Sequence, residues 1–437
     1  MGIWSSAVDM ARRTPPGRNR YADFLRAVAI LVVVFGHWLA SAPQVTDDGL
    51  AIVRLLGVAT WTHPLTWALQ VMPVFFIVGG FANAASWAAA QRDGIGYSRW
   101  LQGRLTRLVW PLVPLLVTWS VIVVILTRAG VDAALVSHAS QLALIPTWFL
   151  AVYLGVILCV PWAAAAWERY GLASFWLPLS AAVMVDALAF GRGMTPLRWA
   201  NYVFVWFAVH QLGFLWRSGR ATQPGIAAAW LAGGCAALVF LVAVAGYPVA
   251  MLTVPGAEFS NTRPPTVALA ALAALHFGVI MLLQPAITRW LDRPGPWAVT
   301  ILVNGLIMTI FLWHSTAQTL VYGAAAWLGG VGLRLEPGSA GWWRARPLWI
   351  AAMVAVLAVL VAIFGSFERG TRRAAVPVPK SARVQVVGTL ALCLGVAFLA
   401  GLGMGREDFP WLRIIPLATA LAGAALVLGP GARSRTG

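Results

Sequence analysis

Residues 20–41 read RYADFLRAVAILVVVFGHWLAS, an apolar segment long enough to cross a membrane as one helix. Two ionisable side chains stand out in this segment, Arg26 near its start and His37 deep inside it. At 100° per residue both lie on nearly the same helix face, about 16 Å apart along the axis. An ionisable group at that depth is costly to place and is a candidate for function, with hydrogen-bonded packing of His37 as the alternative.

The composition excludes a soluble domain, because the 437 residues are 60% hydrophobic and only 10% charged. We therefore predict an all-α, polytopic helical membrane protein. Three cysteines, Cys159, Cys235 and Cys393, lie within apolar runs without metal-ligand spacing and are interpreted as small core residues. The predicted spans are about twelve apolar runs, near residues 24–42, 66–90, 108–127, 146–165, 172–190, 200–216, 226–246, 266–286, 298–327, 347–365, 384–404 and 411–429.

The net charge of +17 would suggest nucleic acid as a partner of a soluble chain. Here the basic residues lie at span ends and in short loops, so membrane orientation explains them better and no nucleic-acid partner is predicted. The most basic segments are the tail before Arg20 and the loops 92–107 and 369–383. All three fall on one side, which predicts that both termini are cytoplasmic and that the bilayer is the main partner. No cleavage site follows the first apolar run, which we interpret as a retained helix.

The apolar runs and basic segments divide the chain into four predicted parts. Residues 1–19 are a basic cytoplasmic tail, and residues 20–366 form a ten-span membrane domain. A cytoplasmic linker, residues 367–383, contains Pro377 and Pro379. Residues 384–437 add two transmembrane helices and a short tail.

An arginine pair follows the second predicted span. That span, QVMPVFFIVGGFANAASW (70–87), leads to a basic loop ending RLTRLVWPLVP, in which Arg104 and Arg107 lie one helical turn apart on one face. They could be orientation determinants or anchors for lipid phosphates. Guanidinium forks also suit the phosphates of coenzyme A. The extended coenzyme, roughly 15 to 20 Å from phosphates to thioester, matches the depth of His37 below the rim. We expect the arginines and the imidazole to bracket one donor.

Other polar residues within spans have two possible roles. His314 in FLWHST (311–316), with Asn304 on nearly the opposite face of the same helix, could orient the acceptor or the imidazole, or could only pack. Asp186 is expected to pair with an arginine or a histidine and could also orient the acceptor. The loop 247–266 could frame the acceptor entrance. The residues predicted to be interhelical hydrogen-bond partners are His210, His276, Asn83 and Asn201.

These segments resemble the acyltransferase-3 family of bacterial membrane acyltransferases. Its first span carries Arg or Lys, ten residues and then His, which Arg26 and His37 match, and its Arg-x-x-Arg pair after the second span is matched by RLTR (104–107). The resemblance covers residues 20 to about 365, with further similarity in MPVFFIVGGF (72–81), PTWFLAVYLGVILCVP (146–161) and MTIFLWHST (308–316). The chain departs from the family in having Gly79 where Ser is frequent, Phe311 where Tyr is common, and two extra spans.

The resemblance implies transfer of a short acyl group, commonly acetyl, from cytoplasmic acyl-CoA to a hydroxyl of a cell-envelope glycan or glycolipid, at the bacterial cell membrane and without a metal. His37 would act as general base or as transient acyl carrier. Arg26 would hold a phosphate of the donor or be paired with Asp23. Arg104 and Arg107 would bind the phosphates.

Two other classes remain open. A secondary transporter would show inverted repeats with interrupted helices in matching halves, and no such pairing is visible. The other multi-span class of membrane O-acyltransferases has its active histidine late in the chain. In that class His314 would matter and His37 would not.

Overall fold

The computed structural model describes residues 3–15, 17–47, 49–373 and 380–429, most of which are helical. The protein is a polytopic helical membrane protein, as predicted. Its elements are α1 (Ile3–Arg12), α2 (Arg20–Ala40), β1 (Ser41–Thr46), β2 (Gly49–Arg54), α3 (Leu55–Val58), α4 (Thr66–Leu69), α5 (Met72–Arg92), α6 (Tyr97–Val109), α7 (Leu112–Arg128), α8 (Ala133–Leu144), α9 (Thr147–Leu158), α10 (Val160–Tyr170), α11 (Ala173–Arg192), α12 (Asn201–Arg217), α13 (Pro224–Ala243), α14 (Val267–Leu291), α15 (Pro294–Gly305), α16 (Ile307–Trp327), α17 (Ala340–Arg373), α18 (Ala382–Leu402) and α19 (Ile414–Leu428).

All twelve predicted apolar runs fall on helices, but not all are full-length spans. Within the described residues, 8 helices are long and apolar enough to cross a membrane, or up to 10 if each of two bent pairs counts as one span. The bent pairs are α8 with α9, at 43°, and α15 with α16, at 68°. The two remaining runs are α12, with 17 residues, and α19, with 15 residues. Most of α12 is buried, so it is an interior helix.

Hydropathy did not predict helices α1 and α8 or the two strands. The tail contains α1, whose Ala11 packs with Leu291 and Trp297 beneath α15. Helix α8 lies where a loop was expected, because its serines and its histidine lower the apolar signal of AALVSHASQLAL. Strands β1 and β2 form an antiparallel hairpin directly after α2, so the fold is not entirely helical. We call the end of the bundle where α2 begins the N-terminal side, and the end that carries the hairpin the hairpin side.

Helices α5 and α12 cross in close contact through two glycines. A Cβ atom at Gly80 would lie 2.0 Å from the carbonyl oxygen of His210, and one at Gly213 would lie 2.3 Å from that of Ile77. Small residues allow this approach, which is the usual way that membrane helices gain packing contacts. The close crossing fixes α5, which carries much of the wall of the site described below.

The two C-terminal helices pack onto the rest of the bundle. Cys393 on α18 donates to the carbonyl oxygen of Ala151 on α9, at 3.3 Å, and Gln385 donates to that of Ser98 on α6, at 3.0 Å. Helix α17 extends to Arg373, so residues 367–373 of the predicted linker are helical, and residues 374–379 lie outside the described residues. The interpretation of Cys235 as a core residue is wrong, because it is exposed on α13 and apolar composition does not separate lipid-facing from core positions.

We expect Gly80→Ala to lower the thermal unfolding midpoint of the protein in detergent, because overpacking of a close contact costs roughly 1–3 kcal/mol. Gly233→Ala on α13 is the matched control, since no atom lies within 4 Å of its added methyl group. The control should leave the midpoint unchanged or raise it, because alanine favours the helix over glycine. Equal midpoints for the two variants would contradict the proposed close packing of α5 and α12.

Candidate active site

Two histidines from distant parts of the chain meet between α2 and α16. His37 Nδ1 lies 2.8 Å from His314 Nε2, and the two rings are stacked with centroids 5.1 Å apart. His314 is fully buried and His37 is partly exposed. Both residues were predicted as candidates from the sequence, but their contact was not, because the spacing of residues along one helix does not show which other helix it contacts.

The hydrogen bonds of the pair fix which nitrogen carries each proton. His314 Nδ1 lies 2.7 Å from the carbonyl oxygen of Phe311, which can only accept, so this nitrogen is the donor. In the neutral ring His314 Nε2 is then an acceptor, and His37 Nδ1 donates to it. Nε2 of His37 is left with a lone pair, and no group among the described residues bonds to it. His37 is therefore arranged as a base or a nucleophile.

Neighbouring side chains hold the two helices in this register. Trp38 is buried and donates its indole N–H to the carbonyl oxygen of His314, at 3.0 Å. Gln318 donates to the carbonyl oxygen of His37, at 3.2 Å. One bond runs from α2 to α16 and the other from α16 to α2, so the backbones that carry the two imidazoles are held together.

A cavity of about 460 Å³ opens near the start of α2. Its volume lies in the range of small-molecule and cofactor sites. Four arginines and two carboxylates line it, so its charge is net positive: Arg18, Arg26, Arg104, Arg107, Asp23 and Glu368. Anionic ligands are therefore favoured there.

Asp23 organises the part of the cavity nearest the N-terminal side. Its carboxylate pairs with Arg18 at 2.6 Å and with Arg26 at 3.4 Å. Of the two contacts considered for Arg26, the structure shows the one with Asp23. One carboxylate shared by two guanidinium groups leaves further N–H donors of both arginines for a ligand.

Arg104 and Arg107 line the same cavity from α6. Arg104 donates to the carbonyl oxygen of Ala82, at 3.0 Å, and to the hydroxyl of Ser86. Arg107 is exposed and forms no ion pair with the described residues. Neither guanidinium group therefore has a carboxylate partner among the residues that the structure describes, as a phosphate site requires.

Sequence reasoning missed Glu368 and misplaced Asn304. Glu368 on α17 accepts from the backbone N–H of Thr309, at 2.9 Å, at the start of α16, and so caps that helix. Its position just beyond an apolar run was the available signal. Asn304 was expected on the opposite face of the helix of His314, but the 68° bend puts it on α15, where its side chain donates to the carbonyl oxygen of Asp23, at 2.8 Å.

Three neighbouring aromatic rings form part of the cavity wall. Phe75, Phe149 and Phe311 line it, with centroids 5.3 Å apart for Phe75 and Phe149 and 5.7 Å for Phe149 and Phe311. The ring of Phe311 lies 6.2 Å from that of His314. His37 does not line the cavity. The arginines and the imidazole therefore do not line one continuous cavity in this conformation, although Phe311 on the cavity wall is a neighbour of His314.

The departure from the family at residue 79 is explained by Tyr153. A Cβ atom at Gly79 would lie 2.7 Å from a ring carbon of Tyr153 and 2.9 Å from its hydroxyl. Tyr153 in its present position therefore requires glycine at residue 79, and both residues line the cavity.

Asp186 lies in a separate polar cluster. It accepts hydrogen bonds from Asn201 at 2.8 Å, Tyr247 at 3.0 Å and the backbone N–H of Val267 at 2.9 Å. Asp186 forms no ion pair at contact distance among the described residues, although Arg198 lies close enough for its charge to act on the carboxylate, and these three donors hold the carboxylate instead. Asp186 does not line the cavity. It joins α11, α12 and α14.

The other polar residues predicted to pack do so. Asn83 Nδ2 and His210 Nε2 are 3.2 Å apart between α5 and α12, and His276 Nε2 lies 2.8 Å from the carbonyl oxygen of Trp67. The loop 247–266 is tied down by Asn261, which donates to the carbonyl oxygens of two residues of the same loop.

Comparison with known proteins gives one result. A search of curated proteins and a search of solved structures found no match. A family model described as an acyltransferase domain matches residues 19–367, which include both histidines and every residue that lines the cavity except Arg18 and Glu368. The protein belongs to the acyltransferase-3 family and is a membrane acyltransferase.

Proposed function

We propose that this protein moves a short acyl group, acetyl in the first instance, from acyl-CoA to a hydroxyl of a cell-envelope glycan or glycolipid. The observation that carries the proposal is the His37–His314 pair, which leaves a nitrogen of His37 unbonded, in a chain of an acyltransferase family that also has an arginine-lined cavity. The N-terminal side would face the cytoplasm of a bacterial cell, with both termini there, because the most basic segments lie on that side.

The arginine-lined cavity would hold the donor. Arg104 and Arg107 would bind phosphates, since both lack carboxylate partners among the described residues. Arg26 would add a further contact from its free N–H groups. It lies about 16 Å from His37 along α2, which favours a role in donor binding over one at the reacting atoms.

His37 would activate the acceptor. As general base, its Nε2 takes the proton of the acceptor hydroxyl while the oxygen attacks the thioester carbonyl carbon. The new C–O bond forms, the C–S bond breaks, and the leaving thiolate takes the proton back from Nε2. A transient acyl group on Nε2 uses the same lone pair, so the geometry suits both routes.

His314 would act as a positioning residue. Its Nε2 accepts from His37 Nδ1, which keeps the proton there and the lone pair on the reactive nitrogen. This hydrogen bond also stabilises the charge that develops on the His37 ring when it takes up a proton.

The donor and His37 would meet when the Phe311 ring turns aside. That ring lines the cavity, and its centroid lies 6.2 Å from that of the His314 ring. A ring closing this path would also keep water from the thioester until both substrates are in place.

We expect His37→Ala to abolish acceptor-dependent release of free thiol from acetyl-CoA, with a loss of at least 10²-fold, because general-base catalysis contributes 10²–10⁴-fold. His314→Ala should reduce the rate strongly, and His314→Gln should restore part of it, because the amide oxygen can still accept from His37. The measurement is a thiol assay on purified protein with an acceptor extract. Substrate uptake without thioester loss would favour a transporter, and loss confined to the His314 variants would favour the other acyltransferase class.

We expect the double variant Arg104→Gln, Arg107→Gln to raise the KM for acetyl-CoA at least tenfold with a smaller change in kcat, because charge-assisted phosphate contacts act mainly on donor binding. Arg99→Gln is the matched control, an exposed arginine on the same helix that does not line the cavity. A KM that rises equally in the control, or that does not rise in the double variant, would contradict the assignment of the donor site.

A further inference from the structure

A basic surface lies on the hairpin side of the imidazole pair. Arg54, the last residue of β2, is paired in the hairpin with Ser41. Ser41 directly follows α2 as its C-cap, and its N–H donates to the carbonyl oxygen of His37. Paired residues of an antiparallel hairpin have Cα atoms about 4.5–5.5 Å apart, so the backbone of Arg54 lies one helical turn beyond His37. The hairpin thus places a cation near His37, at the end of α2 that is remote from the donor cavity.

A second arginine reaches the same place from the loop 247–266. The Arg54 guanidinium is close enough to Arg263 for the two charges to interact, and it also interacts with His37 and His138. Burial and the Arg263 charge lower the pKa of Arg54. Four basic side chains from α2, β2, α8 and the loop 247–266 therefore share one region.

These two arginines have no counterion. Among the described residues, neither Arg54 nor Arg263 forms an ion pair or a side-chain hydrogen bond. The buried Nε2 of His138 also has no hydrogen-bond partner among the described residues. Like charges held together raise the free energy of the fold, whereas an incoming anion gains from both. The arrangement fits an anionic ligand more than it fits a structural role.

We propose that Arg54 and Arg263 bind an anionic group, a carboxylate or a phosphate, on the acyl acceptor and so hold one of its hydroxyls at His37. This proposal rests on the proposed function and narrows its acceptor to an acidic sugar. Arginine binds either oxyanion through two parallel N–H bonds, and the sugar supplies the hydroxyl that is acylated. The donor phosphates and the acceptor anion then occupy opposite sides of the imidazole pair.

The test is direct binding of three octyl glycosides to the full chain in nanodiscs of zwitterionic lipid, without acyl-CoA. Octyl β-xyloside and octyl β-glucuronide differ only by a carboxylate, and octyl β-glucoside 6-phosphate carries a phosphate instead. At least one anionic glycoside should bind about tenfold or more tightly than the xyloside, as a charge-assisted contact requires. The stronger of the two tells which anion the site takes.

The double variant Arg54→Gln, Arg263→Gln should bind all three glycosides with the affinity of the xyloside. Arg334→Gln, at an exposed arginine in the next loop on the hairpin side, is the matched control and should keep the preference. Thermal unfolding of each variant verifies that it is folded. Equal affinities in the unaltered protein, or a preference that survives the double substitution, would overturn the proposal. Selective binding without any thiol release from acetyl-CoA would instead contradict the proposed function and support the anion site.

Discussion

The hydrogen bond between His37 and His314 is the contact on which the candidate site depends. It joins two helices that are 277 residues apart in sequence, and the bond of His314 to Phe311 decides its direction. Without that carbonyl acceptor, the proton could lie on either nitrogen of each ring. The break between α15 and α16 matters for the same reason, since it lets α16 start inside the bundle, where Glu368 accepts from its first backbone N–H groups.

Basic regions lie on both sides of the histidine pair, and they differ in their acidic neighbours. On the N-terminal side, arginines lie around a cavity and are balanced in part by Asp23 and Glu368. On the hairpin side, Arg54 and Arg263 have no acidic partner among the described residues. These two positive regions, one on each side of the imidazole pair, are the basis of the proposal that two anionic substrates approach it from opposite sides. The Phe311 ring lies on the cavity wall, 6.2 Å from the ring of His314.

The spans and several residues of the candidate site could be predicted from the sequence, and the failures have two causes. Helical period and hydropathy predict the spans and the common face of Arg26 and His37, because both are properties of a single helix. They cannot show contacts between helices, so the histidine pair, the position of the Phe311 ring and the partners of Asp186 were not predictable. Hydropathy also overlooks short polar or bent elements. The hairpin that carries Arg54 and the bend that separates Asn304 from His314 are examples.

The most direct test of the account is a structure of the protein with a ketone analogue of acetyl-CoA, in which a methylene group prevents loss of the thiol. We predict that the phosphates of the analogue contact Arg104 and Arg107, that the Phe311 ring is turned aside, and that the ketone carbon lies within about 4 Å of His37 Nε2, close to the distance in a reactive complex. An analogue bound away from these arginines, or one that ends below an unmoved Phe311 ring, would contradict it.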